Sequence, residues 1–118
     1  MELKKVEVAF KDIVLPGGGA NEEFLAALRE ELKKMEEGGA QGEGVLLCPV
    51  FGADECKDTD AALEITAAYK HCARRVKDCA AVKGFAIPAA FKGMERADEI
   101  IENFKSELLE KHPHYVFE

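Results

Sequence analysis

The chain is 118 residues long, 47% hydrophobic and 33% charged, which bounds it to one globular domain and excludes a disordered or fibrous chain. Its net charge of −7 repels phosphate backbones and anionic lipid, so neither nucleic acid nor a membrane is expected as a partner. No apolar run approaches the roughly 20 residues of a membrane helix.

The first segment puts Val6, Val8 and Phe10 on one side of a strand and Glu7 and Ala9 on the other, the alternation of a half-buried strand. The phase slips at Lys11-Asp12, which predicts a bulge or a tight hairpin there, before Ile13, Val14 and Leu15 resume the apolar run. Pro16 and three glycines end the segment. Asn21 then reads as a helix N-cap, with Glu22 and Glu23 in the first turn where the dipole favours negative charge. Leu25, Leu28, Leu32 and Met35 recur at helical spacing, and Glu30 and Lys34 form a supporting pair on the polar side. This helix is expected to fade near Glu37, followed by a flexible loop over "GGAQGEG" (38–44).

The run "GVLLCPVFG" (44–52) has no polar alternation, as in a central strand buried on both faces, with Pro49 near its end. A second helix is expected from Asp58 to Asp60 onward, with Ile65, Tyr69, Cys72, Val76 and Cys79 as its apolar stripe. "VKGFAIP" (82–88) reads as another strand. A third helix carries Ala97, Ile100, Ile101, Phe104 and Leu108 and stops before Pro113, and "YVFE" closes the sheet as an edge strand. The order predicts a single-layered α/β domain over 1–118, with a mostly parallel sheet of four to five strands and three main helices.

In such a sheet ligands bind outside the carboxyl ends of the strands. Three loops belong there: "PGGGAN" (16–21), "GADECKDTD" (52–60) and "PAAFKG" (88–93). Gly17, Gly18, Gly19 and Asn21 could bring backbone N–H groups to an anion, or simply form a turn ahead of Glu22 and Glu23. Asp54, Glu55 and Asp58 could hold Mg²⁺, or Asp58 or Thr59 could cap the second helix. Cys56 is expected to be exposed, with acidic neighbours that raise its thiol pKa. Cys48, Cys72 and Cys79 are expected to be buried as reduced thiols, which fits a cytoplasmic location; no signal sequence is visible at the start.

The stretch "YKHCARRVKD" aligns Lys70, Arg74 and Lys77 along one helix stripe, with His71 and Arg75 beside it. Lys70, Arg74 and Arg75 would dock an acidic partner, or stay solvated as cations that complement the helix dipole. His112 and His114 flank Pro113, a possible metal pair without an evident third ligand.

The layout of strands, helices and length resembles a STAS domain, the fold of anti-sigma-factor antagonists. In that family a serine or threonine near the start of the second helix is a phosphorylation switch, and "KDTDAAL" puts Thr59 there. Asp60-Ala61-Ala62 stands where the family has an Asp-Ser-Ser-Gly type of signature. Separately, "ARRVKDCAAVKGFAIPAAF" (73–91) is similar to the helix and strand that present an Asn-Glu pair in some glycosidase barrels. Ala89 and Ala90 occupy those positions, and the chain is about half a barrel long.

No nucleophile and base pair emerges. The leading expectation is therefore a non-catalytic regulatory or partner-binding domain that works through Thr59 and the basic stripe. The alternatives are a small-ligand or Mg-dependent enzyme using the strand-end loops, and a subunit that self-associates through its final strand. A protein partner or self-association is expected, and the residues name no cofactor.

Overall fold

The computed structural model describes residues 4–37 and 44–118. β1 (Lys4–Ala9) alternates as its sequence suggests: Val6 and Val8 face inward, Val8 fully buried, while Lys5 and Glu7 are exposed. The phase slip after it is neither a bulge nor a hairpin. It is a single helical turn, α1 (Phe10–Ile13), which swings Ile13 into the core. The expected loop over "GGAQGEG" falls, except for its last glycine, outside the described residues.

α2 (Glu22–Glu37) buries Leu25, Leu28 and Leu32 along its apolar stripe. The predicted cap is formed, with the Asn21 side-chain oxygen accepting from the Phe24 N–H at 3.2 Å. β2 (Val45–Val50) is buried through Val45, Leu46 and Leu47 but opens towards its end, where Val50 is exposed. A strand buried on both faces throughout is thus true only of its first half. α3 (Thr59–Arg75) starts where Asp58 caps it, accepting from the Ala61 N–H at 2.9 Å. β3 (Val82–Phe85), the one-turn helix α4 (Ala89–Lys92), α5 (Ala97–Leu109) and the short β4 (Val116–Phe117) complete the chain.

All strand pairs are parallel and the sheet order follows the chain, β1-β2-β3-β4. Each crossover therefore steps one strand further in the same direction. With right-handed connections, helices on every crossover fall on one face of the sheet. The packing agrees: α3 touches α1, α2 and α5, and α5 touches α4, a single contiguous helical layer. Between this layer and the sheet lies one core, in which Phe85, Phe91 and Phe104 are fully buried and Phe104 meets the other two rings edge-on. The Tyr69 hydroxyl donates to the Val8 carbonyl at 2.6 Å and ties α3 to β1.

The turn before β4 holds a buried histidine. His112 stacks on Tyr115 with ring centroids 4.6 Å apart and planes 8° from parallel, and its Nε2 has no hydrogen-bond partner. Burial pushes its pKa below the ordinary 6.5, and His114 and Lys77 push it the same way. The fold thus favours the neutral ring, and the unfolded chain binds the extra proton first as pH falls. Stability from this group is complete above about pH 6.5 and is lost as pH drops from there through the folded pKa. Urea titrations at pH 7.5 and 5 check this: the wild-type chain should lose stability relative to His112→Phe at the lower pH. Equal pH dependence in the two chains would contradict it.

Candidate functional site

The parallel order gathers the three predicted loops at the carboxyl edge of the sheet, but they do not converge on one centre. In the first, Gly18 and Gly19 have positive φ angles of 92° and 86°, which a glycine tolerates best. Leu15 N–H donates to the Gly19 carbonyl and Gly18 N–H to the Leu15 carbonyl, both at 2.9 Å, so this is a closed turn. An isolated antiparallel bridge between Val14 and Ala20 clamps its base. The Asn21 side chain is engaged in capping α2. Gly18 and Gly19 line a mostly apolar cleft of about 470 Å³ with Phe10, Ile13, Ala68 and His71, while Gly17 is exposed beside it.

In the second loop the acidic residues serve the backbone. Glu55 accepts from the Gly52 N–H at 3.0 Å, Asp58 caps α3, and Asp54 is exposed. Among the described residues no three His, Cys, Asp or Glu side chains come together as metal ligands. Asp54, Glu55 and Asp58 are thus not assembled into a cation cage, nor are His112 and His114 joined by a third donor.

Between the second and third loops lies a cleft of about 570 Å³, lined by Cys56, Lys57, Asp58, Thr59, Met94 and Glu95 among others. Thr59 is exposed at its rim. Cys56, expected to be exposed, is buried at 6% exposure with its thiol 3.3 Å from the Met94 sulfur. The segment after α4 folds over it, a contact between residues 38 apart in sequence. Its thiol pKa is raised, by burial first and by Asp58 second, the wrong direction for a nucleophile.

The basic stripe of α3 and its flanking residues are partly spent within the molecule. Lys70 reaches Glu107 at 3.2 Å and Glu110 at 3.4 Å, bridging to α5. Arg75 grips both carboxylate oxygens of Glu22 at 2.9 and 3.0 Å, and His71 shares that carboxylate at 3.0 Å. Those bonds, Arg75's first, hold the Glu22 carboxyl below its ordinary pKa. Arg29 of α2 pairs with Asp78, in the turn just past the end of α3. Arg74 is exposed and makes no ion pair within 4.0 Å among the described residues.

Sequence reasoning missed the other face of the sheet. Leu46 is fully buried yet lies outside the helix-side core. Cys48, expected to be buried, is only partly so. Burial raises its thiol pKa, and Lys5, Glu7 and Glu118 all act on it, so these side chains share its surroundings. Val50 and Val116 are 41% and 48% exposed. Among the described residues they mark a sheet face without a helical layer, edged by β1 on one side and β4 on the other. The sequence hint was the alternation of β1, which sets Lys5 and Glu7 on that face.

Fold and surface together define a singly wound parallel α/β domain with one helix-covered face, one open face and a cleft at its carboxyl edge. No protein-family model, curated protein or solved structure matches the chain. Among the described residues no helix is long and apolar enough to cross a membrane.

Proposed function

We propose that this chain is a non-catalytic partner-binding domain whose working surface is the open face of its sheet. One observation carries the reading: a parallel sheet with helices on a single face. All-parallel sheets are found almost only with both faces covered, so the exposed Val50 and Val116 ask for a protein surface. The basic stripe supports this role less, because Lys70 and Arg75 already have carboxylate partners. Arg74 and the hydroxyl of Thr59 remain as secondary contacts at the helix side and the cleft rim.

Photo-crosslinking side chains placed singly at Val50, Val116 and Arg74 test the assignment in cells. Polypeptide adducts from Val50 and Val116, with few from Arg74, are the expected result. Adducts from Arg74 alone would return the reading to the basic stripe of α3.

The cleft of about 570 Å³ favours a second reading, small-ligand binding at the carboxyl ends of β2 and β3. Lys57 and Thr59 would supply the charge and the hydroxyl. Native mass spectrometry of the purified chain decides it: added mass that Lys57→Ala removes would support a ligand, and a bare chain would count against one.

A further inference from the structure

The open face supports a more specific conclusion, which rests on the partner-binding reading. We propose that the four strands are one half of a closed eight-stranded parallel barrel, completed by a second copy of this chain about a two-fold axis along the strands. Two features of the described residues need explaining together: the face without helices, and the two sheet edges, since among those residues β1 pairs only with β2 and β4 only with β3. A foreign helical layer would cover the face and leave both edges open. Two copies stacked face to face would do the same.

A two-fold axis parallel to the strands removes both defects at once. It sets β4 of each copy beside β1 of the other, running in the same direction, and forms two identical seams in an interface that closes on itself. Eight is also the strand number at which side chains just fill a parallel barrel. The sequential order and the single helical layer match the inner and outer rings of such a barrel. Leu46, Cys48, Val50 and Val116 would fill the interior, together with Lys5 and Glu7 of β1, which the register sets level with Leu46 and Cys48 on the same face.

The seams carry charges of both signs. β1 brings Lys5 and Glu7, both exposed on the open face. The last strand continues its pairing through Glu118, whose N–H donates to Phe85 at 3.3 Å and whose carbonyl accepts from Ile87 at 2.7 Å. In a parallel seam staggered so that Lys5 rather than Glu7 meets Glu118 of the partner subunit, opposite charges lie across adjacent strands, which is favourable.

Cys48 is a built-in reporter, because Cys56, Cys72 and Cys79 are buried in the helix-side core and only Cys48 faces the proposed interior. Sedimentation velocity across a dilution series should show a species of twice 12.9 kDa that dissociates on dilution. Thiol labelling of Cys48 should slow as that species forms, and amide exchange should slow in β1 and β4 together. Val50→Lys with Val116→Lys should weaken the dimer at least about 100-fold, because each copy adds two further positive charges to the closed interior, one of them level with Lys5. The monomer's thermal unfolding should stay unchanged, since both positions are solvent-exposed there. Should that variant fail to fold, the wild-type labelling and exchange series decides alone.

A monomer at every concentration would overturn barrel closure. It would leave the partner-binding reading to the crosslinks at Val50 and Val116, which a different chain can also satisfy. A dimer with unchanged Cys48 labelling, or one indifferent to the two lysines, would place the contact elsewhere and overturn the proposal equally.

Discussion

Phe104→Ala is expected to cost about 3–5 kcal/mol of folding free energy, the range for truncating a fully buried phenylalanine. The side chain is 0% exposed and sits midway along α5, where three other elements meet it. Its ring lies 6.3 Å from Phe85 of β3, 5.7 Å from Phe91 of α4 and 6.2 Å from Phe117 of β4, each pair near edge-to-face. Such pairs add about 0.5–1.5 kcal/mol beyond their area alone. The cavity cannot collapse easily, because its walls belong to four different elements. Domains of this kind hold about 5–15 kcal/mol in total, so the variant should unfold at much lower urea than the wild type, with an unchanged slope. Phe104→Leu should recover most of the loss. A cost below about 1 kcal/mol would mean that the aromatic cluster does not bind the helical layer to the sheet.

The elements most legible in the sequence were those whose signals are local. Asn21 and Asp58 announce their helices because a cap is made by a side chain and the backbone two to three residues on. The stripes of α2, α3 and α5 are long enough for the helical period to show, whereas α1 and α4 are single turns that no period can reveal. The strand-loop-helix alternation gave α/β with a mostly parallel sheet, but strand order depends on contacts between segments far apart in the chain.

The candidate site suffered most from that distance. Lys70 and Arg75 read as free cations because Glu107 and Glu22 lie 37 and 53 residues away. Cys56 read as exposed because its cover comes from Met94. The run 44–52 read as buried on both faces, since an apolar strand inside a sheet and one lining an open face have the same composition. What separates them is the direction of each crossover, which no residue encodes alone.

Gly84→Val is expected to release β4 and to cost about 2–4 kcal/mol, the upper part of the range for forcing extra volume into a packed site. Gly84 pairs with Leu46 on one side and Val116 on the other. A Cβ built on it would fall inside the Val116 peptide, with the carbonyl oxygen as its nearest atom. The obstacle is backbone, so no side-chain rotation relieves it. The neighbouring ladder bonds, between Glu118 and both Phe85 and Ile87, fix that peptide in place. The strand must therefore detach or β3 must shift, and a two-residue strand is the weaker of the two. Amide exchange should then accelerate at Ile87 and Glu118 while α2 and β1 stay protected. Because β4 forms half of each proposed seam, the same substitution should abolish the dimer under conditions where the monomer remains folded. Fast exchange at β4 with an intact dimer would show that the seam is made by other strands. Unchanged exchange would mean that β4 does not approach β3 this closely.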